Sequence, residues 1–197
     1  MLTVKNITLE RYFEPVFEPL SFTVSSGEIL LLTGDNGSGK TTLIRILAGV
    51  LQASEGEVSK SEADLVYVGH QLAVKDDLSV SENIDFMREF LAGSDRSTAD
   101  IVTQVGLQRV AGQVARTLSA GQRKRCALAR LLLSPARLWL LDEPYSNLDR
   151  NGIAMLDGLL RQHVDAGGAC VLTTHGSLRP AGFEMQECEL ISGSRAA

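Results

Sequence analysis

The sequence predicts an α/β protein with a mostly parallel sheet, an antiparallel strand piece at its N-terminus and a helical insertion near its middle. Three observations lead there. Apolar runs such as Ile29-Leu30-Leu31-Leu32, Leu138-Trp139-Leu140-Leu141 and Ala169-Cys170-Val171-Leu172 lack the alternation of a half-solvated strand and suit strands covered on both faces. Helical periodicity follows two of these runs and precedes the third. Residues 72–117 carry only amphipathic helical patterns. At 197 residues the chain forms one domain, with residues 1–71 and 118–197 as its core and 72–117 as a helical subdomain.

Taken in order, Leu2-Thr3-Val4, Ile7-Thr8-Leu9 and Leu20 to Val24 read as antiparallel edge sheet closed by Ser25-Ser26-Gly27. Between them Arg11-Tyr12-Phe13 lies in a loop carrying Pro15 and Pro19, where an aromatic can either stack on an adenine ring or pack locally. The strand Ile29–Thr33 runs into Gly34-Asp35-Asn36-Gly37-Ser38-Gly39-Lys40-Thr41, and a helix over Thr42 to Ala48 stops at Gly49. Ser54 to Val58 reads as a turn into a strand, and Asp64 to Val68 as a second buried strand ending at Gly69-His70-Gln71. Ser79-Val80-Ser81-Glu82 has capping-box spacing ahead of Ile84, Met87 and Leu91, and a further helix runs from Ser97 to Val105 with Gly106 as its stop. Ser119 and Gln122 repeat the capping-box spacing at the start of a helix that carries Cys126, Ala127, Ala129, Leu131 and Leu132 inward and ends at Ser134-Pro135. The strand Leu138–Leu141 meets Asp142-Glu143-Pro144. Ser146-Asn147-Leu148-Asp149 turns into a helix through Val164, the strand Ala169–Thr174 ends at His175, and a weak strand lies near Glu187 to Ile191.

The stretch Gly34 to Thr41 fits G-x-x-x-x-G-K-[ST] in the strand-to-helix setting the pattern requires. Its glycines let successive backbone N–H groups turn toward phosphate oxygens, and the following helix adds its positive end. Lys40 reaches the β and γ phosphates, and Thr41, followed by Thr42, supplies a hydroxyl to Mg²⁺. Four apolar strands end on polar groups: Gly34, Gln71, Asp142 with Glu143, and His175. In a parallel sheet those ends share one edge, where ligands bind. An acidic pair or a histidine after a strand is ordinarily a cap or loop charge. Placed with a phosphate loop they acquire roles: Asp142 holds Mg²⁺ through water, Glu143 takes a proton from or orients the attacking water, His175 bonds the γ-phosphate, and Gln71 senses metal and water.

With 19 basic and 24 acidic side chains the net charge is −5, which argues against a broad nucleic-acid surface; Arg123-Lys124-Arg125 is too short to reverse that. No apolar run is long enough to span a bilayer, and the first residues lack a signal peptide's apolar core, so the chain is expected in the cytosol. Cys126, Cys170 and Cys188 are widely spaced among apolar neighbours and read as reduced packing residues.

Gly34 to Thr41, Leu118 to Gln122, Leu138 to Glu143, Ser146 to Asp149 and His175, in this order, resemble the nucleotide-binding subunit of ATP-binding cassette (ABC) transporters over nearly the whole chain. The resemblance implies a P-loop NTPase core binding ATP and Mg²⁺, and a head-to-tail dimer in which Ser119, Ala120, Gly121 and Gln122 act on ATP held by the other copy. It makes Ser146, Asn147, Leu148 and Asp149 the loop after the acidic pair, and matches Tyr12 to the adenine-stacking aromatic. Two departures stand out. Ala120 replaces the commoner glycine, and the spacing from Gly69-His70-Gln71 to Leu78-Ser79-Val80 is one residue short, so His70 competes with Gln71 for the glutamine register. Tyr67 to Gln71, Leu118 to Gln122, Leu138 to Pro144 and Thr173-Thr174-His175 resemble the haem-exporter type of cytochrome c maturation. That implies membrane-spanning partner subunits, a place on the cytoplasmic face of a bacterial inner membrane and haem as cargo. The chain itself has no Cys-x-x-Cys-His motif. Other small-substrate exporters and soluble cassette proteins are the competing readings; the latter usually carry tandem cassettes or a coiled-coil insertion. A phosphate-loop kinase leaves Leu118 to Gln122 unexplained.

Overall fold

In the computed structural model, which describes residues 1–60, 65–91, 95–174 and 179–193, the elements are β1 (Leu2–Thr8), β2 (Glu10–Arg11), β3 (Glu14–Pro15), β4 (Leu20–Val24), β5 (Ile29–Thr33), α1 (Lys40–Leu47), β6 (Glu55–Lys60), β7 (Leu65–Val68), α2 (Val80–Leu91), α3 (Thr98–Gln104), α4 (Ala120–Leu128), α5 (Arg130–Leu133), β8 (Leu138–Leu141), α6 (Arg150–Asp165), β9 (Ala169–Thr173) and β10 (Gln186–Glu189). Asp64 and His175 lie outside the described residues.

Five strands form one parallel sheet in the order β10-β5-β9-β8-β7, and β4-β1-β6 form an antiparallel sheet beside it. The alternation along β5 explains the layering. Leu30 and Leu32 face a core shared with α1 and the antiparallel sheet, while Ile29 and Leu31 face a core shared with α6. Both faces are covered, which is why the central strands are apolar throughout. A third cluster joins Val80, Ile84, Ile101 and Val105 to Cys126 and Ala129, so α2 and α3 pack on the flank of α4 and α5.

Three local expectations change. β7 is the edge strand of the sheet and alternates between half-buried and buried, because one of its sides opens on a groove against α2. The helix begun at Ser119 divides at Ala129. The Ala127 carbonyl accepts the Arg130 Nε–H at 3.0 Å, and the Ala129 N–H falls back to the Cys126 carbonyl at 3.2 Å, a one-residue shortening of the ladder. The loop around Tyr12 is a tight β2–β3 hairpin whose two central residues, Tyr12 (φ 54°) and Phe13 (φ 67°), are both left-handed, as a two-residue primed turn demands.

Cys126 and Cys170 are buried and Cys188 is half-buried, all as free thiols. Burial pushes the Cys126 thiol pKa up to about 11 and that of Cys170 further, and it also raises Cys188. Thiolate is the reactive form, so native protein near neutral pH is expected to leave Cys126 and Cys170 unalkylated by iodoacetamide while Cys188 reacts slowly. Peptide mass spectrometry before and after unfolding in guanidinium checks this, with Cys126 and Cys170 labelled only in the unfolded chain and Cys188 labelled faster there.

Candidate nucleotide site

The loop between β5 and α1 is built around positive φ values at Gly34 (135°), Gly37 (83°) and Gly39 (100°). Two of these positions admit no Cβ on steric grounds as well. At Gly34 it would lie 2.5 Å from the Leu190 carbonyl oxygen, and at Gly39 2.8 Å from the Phe17 ring. Phe17 is fully buried, and its carbonyl accepts from the Thr8 hydroxyl at 2.9 Å, so the antiparallel sheet braces the loop from beneath. Lys40 folds back over it, donating to the Gly34 and Asp35 carbonyls at 2.7 and 2.8 Å. A cleft of about 430 Å³ opens here between Thr33, Gly34, Asp35, Lys40, Thr174 and Arg179.

The acidic pair stands beside it because β8 lies one strand away from β5 across β9. Asp142 is only 1% exposed. Its Oδ1 accepts from the Thr41 hydroxyl at 3.1 Å and the Thr173 hydroxyl at 2.9 Å, and its N–H donates to the Val68 carbonyl at 2.8 Å. Among the described residues its Oδ2, buried, has no hydrogen-bond partner, nor has the buried Ser38 hydroxyl in the loop itself. An orphaned buried carboxylate oxygen, with an orphaned hydroxyl in the adjoining phosphate loop, is the mark of a place shaped for something else. A hard oxygen donor next to a threonine hydroxyl matches Mg²⁺, which takes one or two protein oxygens and completes its shell with water and phosphate.

Glu143 follows in a left-handed backbone (φ 47°). The Thr173 hydroxyl accepts its N–H at 2.9 Å, and its carbonyl accepts from Ser146 Oγ and Lys124 Nζ, both at 2.8 Å. Burial pulls the Lys124 ammonium pKa below its usual value, and the Asp142 and Glu143 charges oppose that shift. Gln71 and His70 are both exposed in the loop leaving β7, next to the end of β8. Arg130 spans that loop, donating to the Tyr67 and Leu72 carbonyls.

The remaining predicted residues sit apart from this corner. Tyr12 is 97% exposed at its hairpin tip. Ser119 caps α4 in a full capping box with Gln122, with Ser119 and Ala120 on the surface. Gly121 meets the loop after Glu143, where a Cβ would come within 2.6 Å of the Asn147 carbonyl. Asn147 is left-handed (φ 62°), and Asp149 caps α6 by accepting from the Gly152 N–H at 2.8 Å. Thr173 and Lys124 are what sequence reasoning passed over. A polar residue closing an apolar strand and a lysine on the inward face of a helix were the available signals.

The family described as "ABC transporter" matches residues 17–146. The chain belongs to the ATP-binding cassette family. It is therefore an ABC-type ATPase subunit, as the Gly34 to Thr41 and Leu118 to Gln122 motifs lead one to expect. Among its relatives is the cytochrome c biogenesis ATP-binding export protein CcmA of Xanthomonas axonopodis pv. citri (strain 306), 44% identical over 187 residues that cover 90% of this chain and 87% of that one. The protein of the same name from Aliivibrio fischeri is 38% identical and covers 96% and 99%. Solved structures share the fold. A putative ABC transporter ATP-binding protein from Pyrococcus furiosus superposes with a TM-score of 0.82 at 19% identity, covering 97% and 98%. A dimeric cassette in a post-hydrolysis state, bound to ADP and Pi, gives 0.76 at 23%, covering 89% and 88%.

Thr173 joins Asp142 to the Glu143 backbone with a single buried hydroxyl. Thr173→Val is expected to destabilise the protein by about 2 kcal/mol by stranding a buried N–H and weakening a buried carboxylate, whereas Thr173→Ser costs under about 1 kcal/mol. Chemical denaturation of both variants checks the difference.

Proposed function

We propose that this subunit binds ATP and Mg²⁺ at the corner formed by Gly34 to Thr41, Asp142 and Glu143, and hydrolyses ATP as a head-to-tail dimer. The observation that carries this is the buried, unpartnered Oδ2 of Asp142 beside the Thr41 hydroxyl. Thr41 and Asp142, with Gln71 nearby, would hold the cation, which when bound neutralises charge on the β and γ phosphates. Backbone N–H groups of Asp35 to Gly39 and Lys40 Nζ bind the phosphates, with Thr42 following on the first turn of α1. Lys40 then exchanges its two carbonyl partners for phosphate oxygens. Glu143 orients a water in line with the γ-phosphorus. As the water oxygen bonds to phosphorus, the bond to the β–γ bridging oxygen breaks, ADP leaves with that electron pair, and the water's proton passes toward the Glu143 carboxylate. His175, outside the described residues, is assigned the γ-phosphate by its motif alone.

Tyr12 supplies the adenine platform. A left-handed tyrosine at full exposure is strained and unpacked, which fits a residue whose partner is a ligand. Ser119, Ala120, Gly121 and Gln122 are the surface the second copy needs, with Ser146, Asn147, Leu148 and Asp149 alongside. The whole chain is one cassette domain, residues 1–71 and 118–197 forming the nucleotide core and 72–117 the helical subdomain.

The export protein name carried by the relatives extends the reading to transport. In this reading the chain powers a haem-exporter-type complex of cytochrome c biogenesis, as a peripheral subunit on the cytoplasmic face of a bacterial inner membrane. No helix among the described residues is long and apolar enough to cross a membrane, so membrane-spanning segments would come from separate partners. Their landing place is an apolar groove of about 430 Å³ between β7 and α2, lined by Leu65, Tyr67, Phe86, Met87, Phe90 and Arg130. Phe90 is 80% exposed there, ready for an apolar segment of a partner.

Glu143→Gln keeps the geometry and removes the base. This variant is expected to bind ATP, stall hydrolysis and accumulate as a dimer on gel filtration with ATP. Lys40→Ala in the same background is expected to remain monomeric. Full ATP turnover by the Glu143→Gln variant would contradict the assignment.

A further inference from the structure

α4 touches the loop after β8 at two carbonyls, and these belong to the loop's two left-handed non-glycine residues, Glu143 (φ 47°) and Asn147 (φ 62°). At Asn147 the contact is backbone on backbone, since a Cβ on Gly121 would lie 2.6 Å from the carbonyl oxygen. At Glu143 the contact is a side chain. Lys124 is 3% exposed, and its Nζ donates to the Glu143 carbonyl at 2.8 Å. Around it α4 buries Cys126, Ala127 and Leu128, so helix packing alone would favour an apolar side chain here. A desolvated ammonium is a costly way to fill such a position unless its hydrogen bond has a use.

We infer that Lys124 is a positioning residue that holds the strained Glu143 backbone in register and ties it to the helix capped by Ser119, so that load on that cap reaches the water-orienting carboxylate of the same chain. Its ammonium meets no reacting atom. The role rests on the head-to-tail dimer proposed above, and there it has a specific consequence. Ser119 faces ATP bound by the other copy, whereas Glu143 faces ATP bound by its own. Lys124 lies five positions beyond Ser119 on one helix, and its hydrogen bond links that helix to the Glu143 carbonyl. Occupancy of one site is thereby transmitted to the hydrolytic machinery of the other, which makes turnover cooperative in ATP.

The test compares the full chain with Lys124→Met, which keeps length and loses the donor, and Lys124→Arg, which keeps a charged donor. The Met variant is expected to bind Mg-ATP within about twofold of the parent, with kcat about tenfold lower, the loss of one charge-assisted hydrogen bond. Its Hill coefficient for ATP falls to one while KM changes little. Lys124→Arg restores kcat to within about threefold and recovers the cooperativity. Parent-like rate and cooperativity in Lys124→Met would overturn the inference. So would equal impairment of Met and Arg, the signature of lost packing, or a parent chain that hydrolyses ATP without cooperativity. Should Lys124→Met not fold, Lys124→Gln takes its place with the same readouts. Failure of the ATP-bound Glu143→Gln chain to dimerise strikes the function proposal instead, and gel filtration reports that separately from the Lys124 kinetics.

Discussion

Asp142 places a carboxylate at 1% exposure with two hydroxyls on one oxygen and, among the described residues, no hydrogen bond on the other. An ionised group so deeply buried is expensive to desolvate, and two neutral hydroxyls offset only part of that cost. Lys124 lies close enough to add a favourable charge, yet its hydrogen bond goes to the Glu143 carbonyl. The fold therefore leaves a buried carboxylate oxygen without a hydrogen-bond partner among the described residues next to a phosphate-binding loop, and a divalent cation arriving with a nucleotide would give that oxygen a partner. The same carboxylate also knits the rim together. Through Thr41 and Thr173 it connects the first turn of α1 and the ends of β8 and β9, so the proposed metal, phosphates and attacking water would be addressed from one corner.

Around that corner the backbone is held in conformations it would not adopt freely. Glu143 and Asn147 are left-handed without being glycine, and each is met at its carbonyl by α4. Strain of this kind persists only where the surroundings over-determine it. Here those surroundings are the helix with the exposed Ser119 cap, and in the proposed dimer the same packing would connect the Glu143 loop to the surface that faces the second copy. The groove beside β7 is reached from the other end of this helical region. Arg130 lines it and clamps the loop that bears Gln71, so a partner seated there, as proposed, would have a short route to the nucleotide site.

Much of this was legible in the residues. The unbroken apolar runs at Leu138–Leu141 and Ala169–Thr173 signalled doubly covered parallel strands, because burial on both faces removes the alternation that a single solvated face imposes. Ser119 with Gln122 announced its capping box, and the glycines of the phosphate loop announced their positive φ values. What could not be read were features set by tertiary neighbours. β7 looked like a central strand because Val66 and Val68 are buried, and only strand order makes it an edge. The break at Ala129 comes from Arg130 claiming the Ala127 carbonyl, a competition that periodicity does not register. Tyr12 and Phe13 read as loop because the primed turn they form is usually made by asparagine and glycine. Thr173 hid at the end of an apolar run and Lys124 within the basic triplet Arg123-Lys124-Arg125, where neither polar residue stands out until its partner from another element is known.

The central claim is that the free oxygen of Asp142 exists to serve a metal that arrives with ATP. The most direct measurement is ATP affinity by equilibrium titration, with and without Mg²⁺, for the parent chain and for Asp142→Asn. The account predicts that Mg²⁺ tightens ATP binding to the parent by about tenfold or more and leaves Asp142→Asn nearly unaffected, since the amide keeps the shape and loses the charge. An equal response to Mg²⁺ in both proteins would contradict it.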